Sequence, residues 1–191
     1  MNKKNAITLV LLLLLSLGVN AQKWDELSKT PQMGWSSWNK FQGNIDENII
    51  KSIADAMVSS GLRDAGYIYV NIDDCWHGKR DSNGFIQADP KHFPHGIKAL
   101  ADYIHARGLK LGIYSDAGSE TCAGRPGSLG HEYQDALQYA RWDIDYLKYD
   151  WCNTININAR GAYQLMSDAL RAAGRPIFFS MCEWGDNNPW R

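Results

Sequence analysis

Short apolar runs alternate with amphipathic segments along most of this chain. Between the runs, apolar residues recur at helical spacing: Ile50, Ala54 and Met57 share one face of a helix that begins near Asp46, and Gly61 provides its C-terminal cap. Further helices are predicted over residues 96–106, 132–141 and 159–173. The apolar runs have the length and composition of buried strands, and they cover residues 32–35, 67–72, 109–114, 146–149 and 176–180.

A regular alternation of strand and helix is typical of parallel βαβ units, which build either a doubly wound sheet or an eight-fold barrel. No glycine-rich dinucleotide fingerprint follows the first strand, and polar or aromatic residues follow every strand, which favours the barrel. The predicted fold class is therefore α/β, a (β/α)8 TIM barrel. Because a complete barrel has about 250 residues and eight strands, we expect this chain to be truncated and to represent about the first five βα units.

The end of the fourth predicted strand carries the strongest candidates for chemistry. Side chains alternate between the two faces of a strand, so Lys148 and Asp150 are expected to point to the same face. A neighbouring cation keeps a carboxylate ionised, as a nucleophile requires. The alternative is a purely structural contact between a lysine and an aspartate at the end of a strand.

A signal peptide is predicted at the N-terminus, over residues 1–21. Lys3 and Lys4 precede an apolar stretch that is too short for a settled membrane span, and small residues end at Ala21 before the polar Gln22. We predict cleavage after Ala21, a secreted or periplasmic location, and a mature chain over residues 22–191 without an integral membrane span. An uncleaved membrane anchor is the alternative.

Composition narrows the classes of partner. The 20 basic and 21 acidic residues give a formal charge of -1 without a basic stripe, so no nucleic acid is expected to bind. Eight tryptophans and nine tyrosines favour a carbohydrate, because aromatic rings suit the apolar faces of sugars. The four cysteines lack a zinc-binding spacing, and Pro94 interrupts the segment between His92 and His95, so no metal site is predicted.

Five motifs occur in order along the mature chain. They are TPQMGWSSWN at residues 30–39, YVNIDDCW at 69–76, GIYSD at 112–116, TCAG at 121–124 and YLKYDWC at 146–152. Together they resemble the N-terminal part of the catalytic barrel of family 27 glycoside hydrolases, the α-galactosidase and α-N-acetylgalactosaminidase family. Five motifs in the family's order form a specific match, whereas a single pair of aspartates would be a weak one.

The resemblance implies a retaining mechanism in which Asp150 is the nucleophile. Asp73 and Asp74 would accept hydrogen bonds from hydroxyls at the O4 and O6 side of a terminal galactose, and Glu183 would lie near the 2-hydroxyl. The acid/base would be an aspartate after a sixth strand, beyond Arg191. No cofactor is implied, because this chemistry uses carboxyl groups and water. The residues to which the resemblance assigns substrate binding are Trp38, Asp73, Asp74, Tyr114, Lys148, Glu183 and Trp184.

The resemblance also implies a disulfide between Cys122 and Cys152. Cys75 is expected to be free, because the family often pairs this cysteine with one in the first loop, where this chain has Gln42 and Gly43. Cys182 follows the fifth strand, which is not a neighbour of the second, and it is expected to be unpaired.

An α-galactosidase is the expected activity, because the carboxylate of Glu183 favours a plain 2-hydroxyl over an acetamido group. Two alternatives within the family are an α-N-acetylgalactosaminidase and a β-L-arabinopyranosidase. An alternative of another class is a non-catalytic galactose-binding remnant.

Overall fold

The computed structural model describes residue 24 and residues 27–191, so the predicted signal peptide lies outside the described residues. None of the described helices is long and apolar enough to cross a membrane. The elements, in chain order, are β1 (Gly34–Ser36), α1 (Trp38–Phe41), α2 (Glu47–Ser59), β2 (Tyr69–Asn71), β3 (His77–Arg80), β4 (Ile86–Ala88), α3 (Gly96–His105), β5 (Lys110–Asp116), α4 (Glu132–Arg141), β6 (Tyr146–Asp150), α5 (Ala159–Ala172) and β7 (Phe178–Cys182).

Five strands form one parallel sheet whose spatial order follows the chain, β1-β2-β5-β6-β7. A doubly wound sheet would instead reverse its order at a switch point. The sheet is curled and accompanied by helices, as in part of a barrel. The five strand predictions are confirmed, and the strand ends differ from the predicted ends by one or two residues.

Four of the five described helices form where capping and periodicity predict them. At the start of α2, Asp46 Oδ1 accepts a hydrogen bond from the backbone N–H of Ile49 at 2.8 Å, and Gly61, just after the helix, has a φ of 81°. The face that carries Ile50, Ala54 and Met57 is buried, as predicted. This N-cap contributes about 1 kcal/mol to the stability of the helix.

The strand faces divide the core from the site. Leu111 and Ile113 of β5, and Leu147 and Tyr149 of β6, are completely buried. Burial of an aliphatic side chain of this size stabilises the fold by about 1.5–3 kcal/mol. Because side chains alternate along a strand, the residues between these four point to the opposite face of the sheet, where the site lies.

The short helix α1 was missing from the sequence-based prediction, and so was the antiparallel hairpin of β3 and β4. Its turn contains Asn83-Gly84, a dipeptide typical of hairpins, and Gly84 has a φ of 85°. Asp81 Oδ1 stabilises the turn by accepting hydrogen bonds from the backbone N–H groups of Asn83 and Phe85. The polar composition of β3 hid the strand, because His77-Gly78-Lys79-Arg80 has little apolar character.

The amino ends of the central strands carry a compensated ion-pair network. Arg175 contacts Asp143 at 3.0 Å and Asp145 at 2.8 Å. His105 Nε2 lies 2.7 Å from Asp145 Oδ2, and Lys98 lies 3.3 Å from Asp143. Each carboxylate at this end of the sheet therefore has two basic partners.

Candidate active site

The register of the three last strands assembles the centre of the site. The ladder places Asp116, Asp150 and Cys182 side by side at the carboxyl ends of β5, β6 and β7. One layer below, Lys148 pairs with Tyr114 on one side. The prediction that Lys148 and Asp150 share a face is confirmed, since Lys148 Nζ lies 3.7 Å from Asp150 Oδ2.

Lys148 connects two carboxylates. Its Nζ donates a hydrogen bond to Asp73 Oδ2 at 2.9 Å, and it lies 5.0 Å from the centre of the Tyr114 ring. Burial alone lowers the pKa of Lys148, but the charge and hydrogen bond of Asp73, together with Asp150, raise that pKa above its ordinary value. Lys148 is therefore a permanent cation between Asp73 and Asp150.

Asp74 faces the loop that follows β5. Its Oδ1 accepts a hydrogen bond from Thr121 Oγ1, and its Oδ2 accepts one from the backbone N–H of Ala123, both at 2.9 Å. Burial raises the pKa of Asp74, while these hydrogen bonds oppose the rise and the charge of Asp73 adds to it. Asp74 therefore holds the loop of Cys122 in place, in addition to any contact with a sugar.

A pocket of about 230 Å³ collects most of the predicted site residues. A larger concavity of about 930 Å³ lies between the β3–β4 hairpin and the loop after β5, and it shares no lining residue with the first. We assign the site to the smaller pocket because the clustered carboxylates and the lysine line it. Its lining residues are Trp38, Asp73, Asp74, Tyr114, Cys122, Lys148, Asp150, Cys182 and Trp184.

Glu183 is the predicted site residue that does not line this pocket. Cys182 faces Asp150, so the next side chain along the chain points to the other side. Glu183 is 3% exposed, accepts a hydrogen bond from the backbone N–H of Asn187 at 2.7 Å, and lines a neighbouring cavity with Tyr163. Trp184, by contrast, is 61% exposed at the rim of the pocket. The role of Glu183 at the 2-hydroxyl stays a prediction.

Asp116 is a buried carboxyl group to which sequence reasoning gave no role. Its side chain accepts hydrogen bonds from the backbone N–H groups of Gly118 at 2.7 Å and Cys152 at 2.9 Å. Burial, helped by the charges of Asp150 and Asp74, raises the pKa of Asp116 to about 7. The signal in the sequence was its place at the end of a strand, beside the strand that ends in Asp150.

The same corner contains a group of potential metal ligands. Four residues each place one possible ligand atom within 4.8 Å of the others: Asp116, Cys122, Asp150 and Cys152. The two sulfur atoms are joined in a disulfide, so neither is available as a thiolate. Two buried carboxylates remain as ligands, which is fewer than a metal ion usually takes.

Known proteins that resemble this chain identify its family. A family model described as alpha galactosidase A matches residues 30–190. The chain belongs to the alpha-galactosidase A family. Alpha-galactosidase A of Cellvibrio japonicus (strain Ueda107) is 69% identical over 182 residues, which is 95% of this chain and 45% of that protein. The chain therefore spans less than half the length of this relative.

Solved structures of alpha-galactosidases have the same fold over the described residues. Alpha-galactosidase I from Mortierella vinacea matches with a TM-score of 0.85 and 49% identity, over 88% of this chain and 44% of that one. A structure of the Saccharomyces cerevisiae alpha-galactosidase with raffinose matches with a TM-score of 0.80 and 46% identity, over 82% of this chain and 36% of that one.

The cysteine predictions for this alpha-galactosidase family member are confirmed. Cys122 and Cys152 form a disulfide with a Cα–Cα distance of 5.1 Å, and Cys75 and Cys182 are free. A Cβ atom built on Gly43 would lie 2.8 Å from Cys75 Sγ, so this glycine occupies the place where a cysteine would meet Cys75. Burial and the charge of Asp150 raise the pKa of the Cys182 thiol to about 11.

Proposed function

We propose that the full-length protein is a retaining α-galactosidase that hydrolyses terminal non-reducing α-D-galactose residues. The observation that carries the proposal is the position of Asp150, which lines the pocket beside Lys148 and lies at the carboxyl end of β6. The active sites of barrel enzymes lie at this end of the strands. The alpha-galactosidase relatives support the reaction, and the neighbouring structure with raffinose supports a carbohydrate substrate.

In the proposed first step, Asp150 attacks the anomeric carbon, the bond to the leaving oxygen breaks, and a galactosyl ester forms on the carboxylate. A second carboxyl group protonates the leaving oxygen. It then takes a proton from the water that attacks the anomeric carbon, which cleaves the ester and releases galactose. We expect this group to be an aspartate outside the 191 residues, in the first loop after a sixth strand of a closed (β/α)8 barrel.

Recognition of the sugar is proposed to rest on the carboxylates of Asp73 and Asp74, which accept hydrogen bonds from ring hydroxyls. A hydrogen bond to a charged group contributes about 1.5–3 kcal/mol. An epimer whose hydroxyl points elsewhere leaves a buried carboxylate without that partner, and this penalty produces selectivity. We propose that Trp38 forms the floor of the pocket, that Tyr114 flanks the nucleophile, and that Glu183 contacts the 2-hydroxyl once the site is complete.

The proposal is tested on the full-length protein with 4-nitrophenyl glycosides of three sugars. We expect hydrolysis of the α-D-galactoside in preference to the α-N-acetylgalactosaminide and the β-L-arabinopyranoside. The Asp150→Asn variant should lose about 10³-fold or more in kcat, because the nucleophile is removed. Asp168→Asn, on the exposed face of α5, is the matched control and should stay within about twofold of the wild type.

Two results would contradict the proposal. Preference for either of the other two sugars would assign a different activity within the family. Binding of galactose without turnover, unchanged by Asp150→Asn, would identify a binding protein instead. Reading the gene beyond the codon for Arg191 tests the expectation that an aspartate follows a sixth strand.

We also propose that the protein is exported. The support is the basic, apolar and small-residue order of residues 1–21. N-terminal sequencing of the mature protein should begin at Gln22. A mature protein that begins at Met1 and stays in the membrane fraction would indicate an uncleaved anchor.

A further inference from the structure

We infer that Asp116 is a positioning residue for the nucleophile: its carboxyl group fixes the backbone on which Asp150 stands. This inference rests on the proposed function. Asp116 is completely buried and does not line the pocket, so it has no access to a sugar. Any effect on the reaction must therefore pass through the backbone that Asp116 holds.

The hydrogen bonds of Asp116 join two loops. The bond to the backbone N–H of Gly118 is local, within the loop that follows β5. The bond to the backbone N–H of Cys152 crosses to the loop after β6, two residues beyond Asp150. One side chain thus holds both loops at the point where the nucleophile emerges from the sheet.

Three further contacts show how closely the two loops pack. The backbone N–H of Ala117 donates to the carbonyl oxygen of Asp150 at 3.0 Å. A Cβ atom on Gly118 would lie 2.1 Å from the carbonyl oxygen of Cys152, so only a glycine allows this approach. The disulfide from Cys152 to Cys122 closes the same corner covalently.

A carboxyl group suits this position better than an amide. Two backbone N–H groups point at Asp116, and a carboxyl group offers two acceptor oxygens to meet them. An asparagine offers one oxygen and one NH2 group, so one N–H would face another donor. The Cys152 backbone would then shift, and Asp150 with it.

The expected kinetic effect is on the rate of attack and not on binding. A displacement of about 1 Å at a reacting group costs roughly 10²-fold in rate. The side chains proposed to bind the sugar, among them Asp73 and Lys148, have no hydrogen bond with Asp116 in the described part of the chain. Asp116→Asn should therefore slow the reaction about 10- to 100-fold and change the Kd for galactose by less than about threefold.

The test uses the full-length protein and a 5-fluoro-α-D-galactosyl fluoride. Its anomeric fluoride leaves readily, and its ring fluorine slows hydrolysis of the ester, so the ester accumulates on the protein. Mass spectrometry gives the fraction of protein trapped, and the time course gives the rate constant of that fraction. A purely structural defect lowers the trapped fraction, whereas a misplaced nucleophile lowers the rate constant. The matched control is Asp135→Asn, because Asp135 is also buried and binds Arg80 and Ser128.

We expect Asp116→Asn to trap with a rate constant 10- to 100-fold lower than the wild type, at a nearly unchanged Kd for galactose. Asp135→Asn should trap at the wild-type rate constant, even if a smaller fraction reacts. A rate constant for Asp116→Asn within about twofold of the wild type overturns the inference, as does an equal loss of galactose affinity. A wild-type protein that is never trapped overturns the proposed function, which is a separate result.

Discussion

The two ends of the parallel sheet differ in how far their carboxylates are paired with basic residues. At the amino ends, Asp143 and Asp145 share Arg175, and Lys98 and His105 add further partners. Each of these two carboxylates is therefore paired with two basic residues. This arrangement is typical of a stabilising network. The attraction between the paired charges offsets the cost of removing them from water.

At the carboxyl ends, four aspartates converge, and basic residues pair with only some of them in the described part of the chain. The four are Asp73, Asp74, Asp116 and Asp150. Among the described residues, Lys148 is the lysine or arginine that forms ion pairs with this group, and it contacts Asp73 and Asp150. The pKa values of Asp74 and Asp116 are raised, mainly by burial and partly by neighbouring carboxylates. The amino ends thus carry a paired network, whereas the carboxyl ends place three aspartates and a single lysine around a pocket. We expect this concentration of charge to cost stability.

The largest expected effect that tests this contrast is the pH dependence caused by Asp116. The pKa of Asp116 is raised from 3.8 to about 7 in the fold, so the ionised form is disfavoured there. The protonated carboxyl group of Asp116 therefore contributes its full stabilisation of the fold below pH 3.8. This contribution is lost as the pH rises through 7. Over this interval the loss is roughly 4 kcal/mol.

The Asp116→Asn variant does not titrate, and it should lack this loss. The difference in unfolding free energy between variant and wild type should therefore move in favour of the variant by roughly 4 kcal/mol between pH 3 and pH 8. Urea unfolding of the full-length protein at several pH values measures it. A difference that stays constant with pH would show that the fold does not raise the pKa of Asp116.

Removal of the cation of the carboxyl-end cluster is the next largest effect. Lys148→Met should lower the unfolding free energy by about 3 kcal/mol at pH 7, because Asp73 and Asp150 lose the charge between them. The loss should shrink as salt is added, because salt screens the attraction between the charges. Lys79→Met, on the exposed part of β3, is the control and should change the unfolding free energy by less than about 0.5 kcal/mol. A loss that does not change with salt would argue for packing instead of charge.

A smaller and purely structural effect is expected at the amino ends. Arg175→Met should lower the unfolding free energy by about 2 kcal/mol, because Asp143 and Asp145 lose their shared partner, which is partly exposed to solvent. The kcat for a galactoside should stay within about twofold of the wild type, because the pocket lies at the other end of the strands. A tenfold fall in kcat would break the division between the two ends.

The smallest expected effect is a gain. Asp150→Asn removes one charge from the cluster and should raise the unfolding free energy by up to about 1 kcal/mol at pH 7 while hydrolysis is lost. Urea unfolding and a galactoside assay on the same preparation measure both. A variant less stable than the wild type by more than about 1 kcal/mol would show that Asp150 is a structural residue.

The alternation of side chains explains how much of the site could be predicted. The apolar face of β6 identified the strand, and strand geometry then placed Lys148 and Asp150 together. The same alternation turns Glu183 away from Asp150, because Cys182 occupies the facing position. To predict the orientation of Glu183, the exact end of β7 is needed. The sequence pattern places this end two residues too early.

Other features depend on contacts that no periodicity reveals. The role of Asp116 follows from two backbone N–H groups brought to it by separate loops. The hairpin of β3 and β4 has a polar strand whose pairing is set by its turn. The disulfide between Cys122 and Cys152 was implied by resemblance to a family and could not be derived from spacing alone.

The most direct test of the account is to locate the galactosyl ester on the trapped full-length protein by tryptic peptide mapping. Trypsin cleaves after Lys148 and Arg160, and the disulfide between Cys122 and Cys152 is reduced first, because it would link the peptide of residues 149–160 to the one that contains Asp116. We predict one added fluorogalactosyl group on residues 149–160, attached to Asp150. The ester should be absent from Asp150→Asn. A label on the peptide that contains Asp73 and Asp74, or on the one that contains Asp116, would contradict the assignment of Asp150 as the nucleophile.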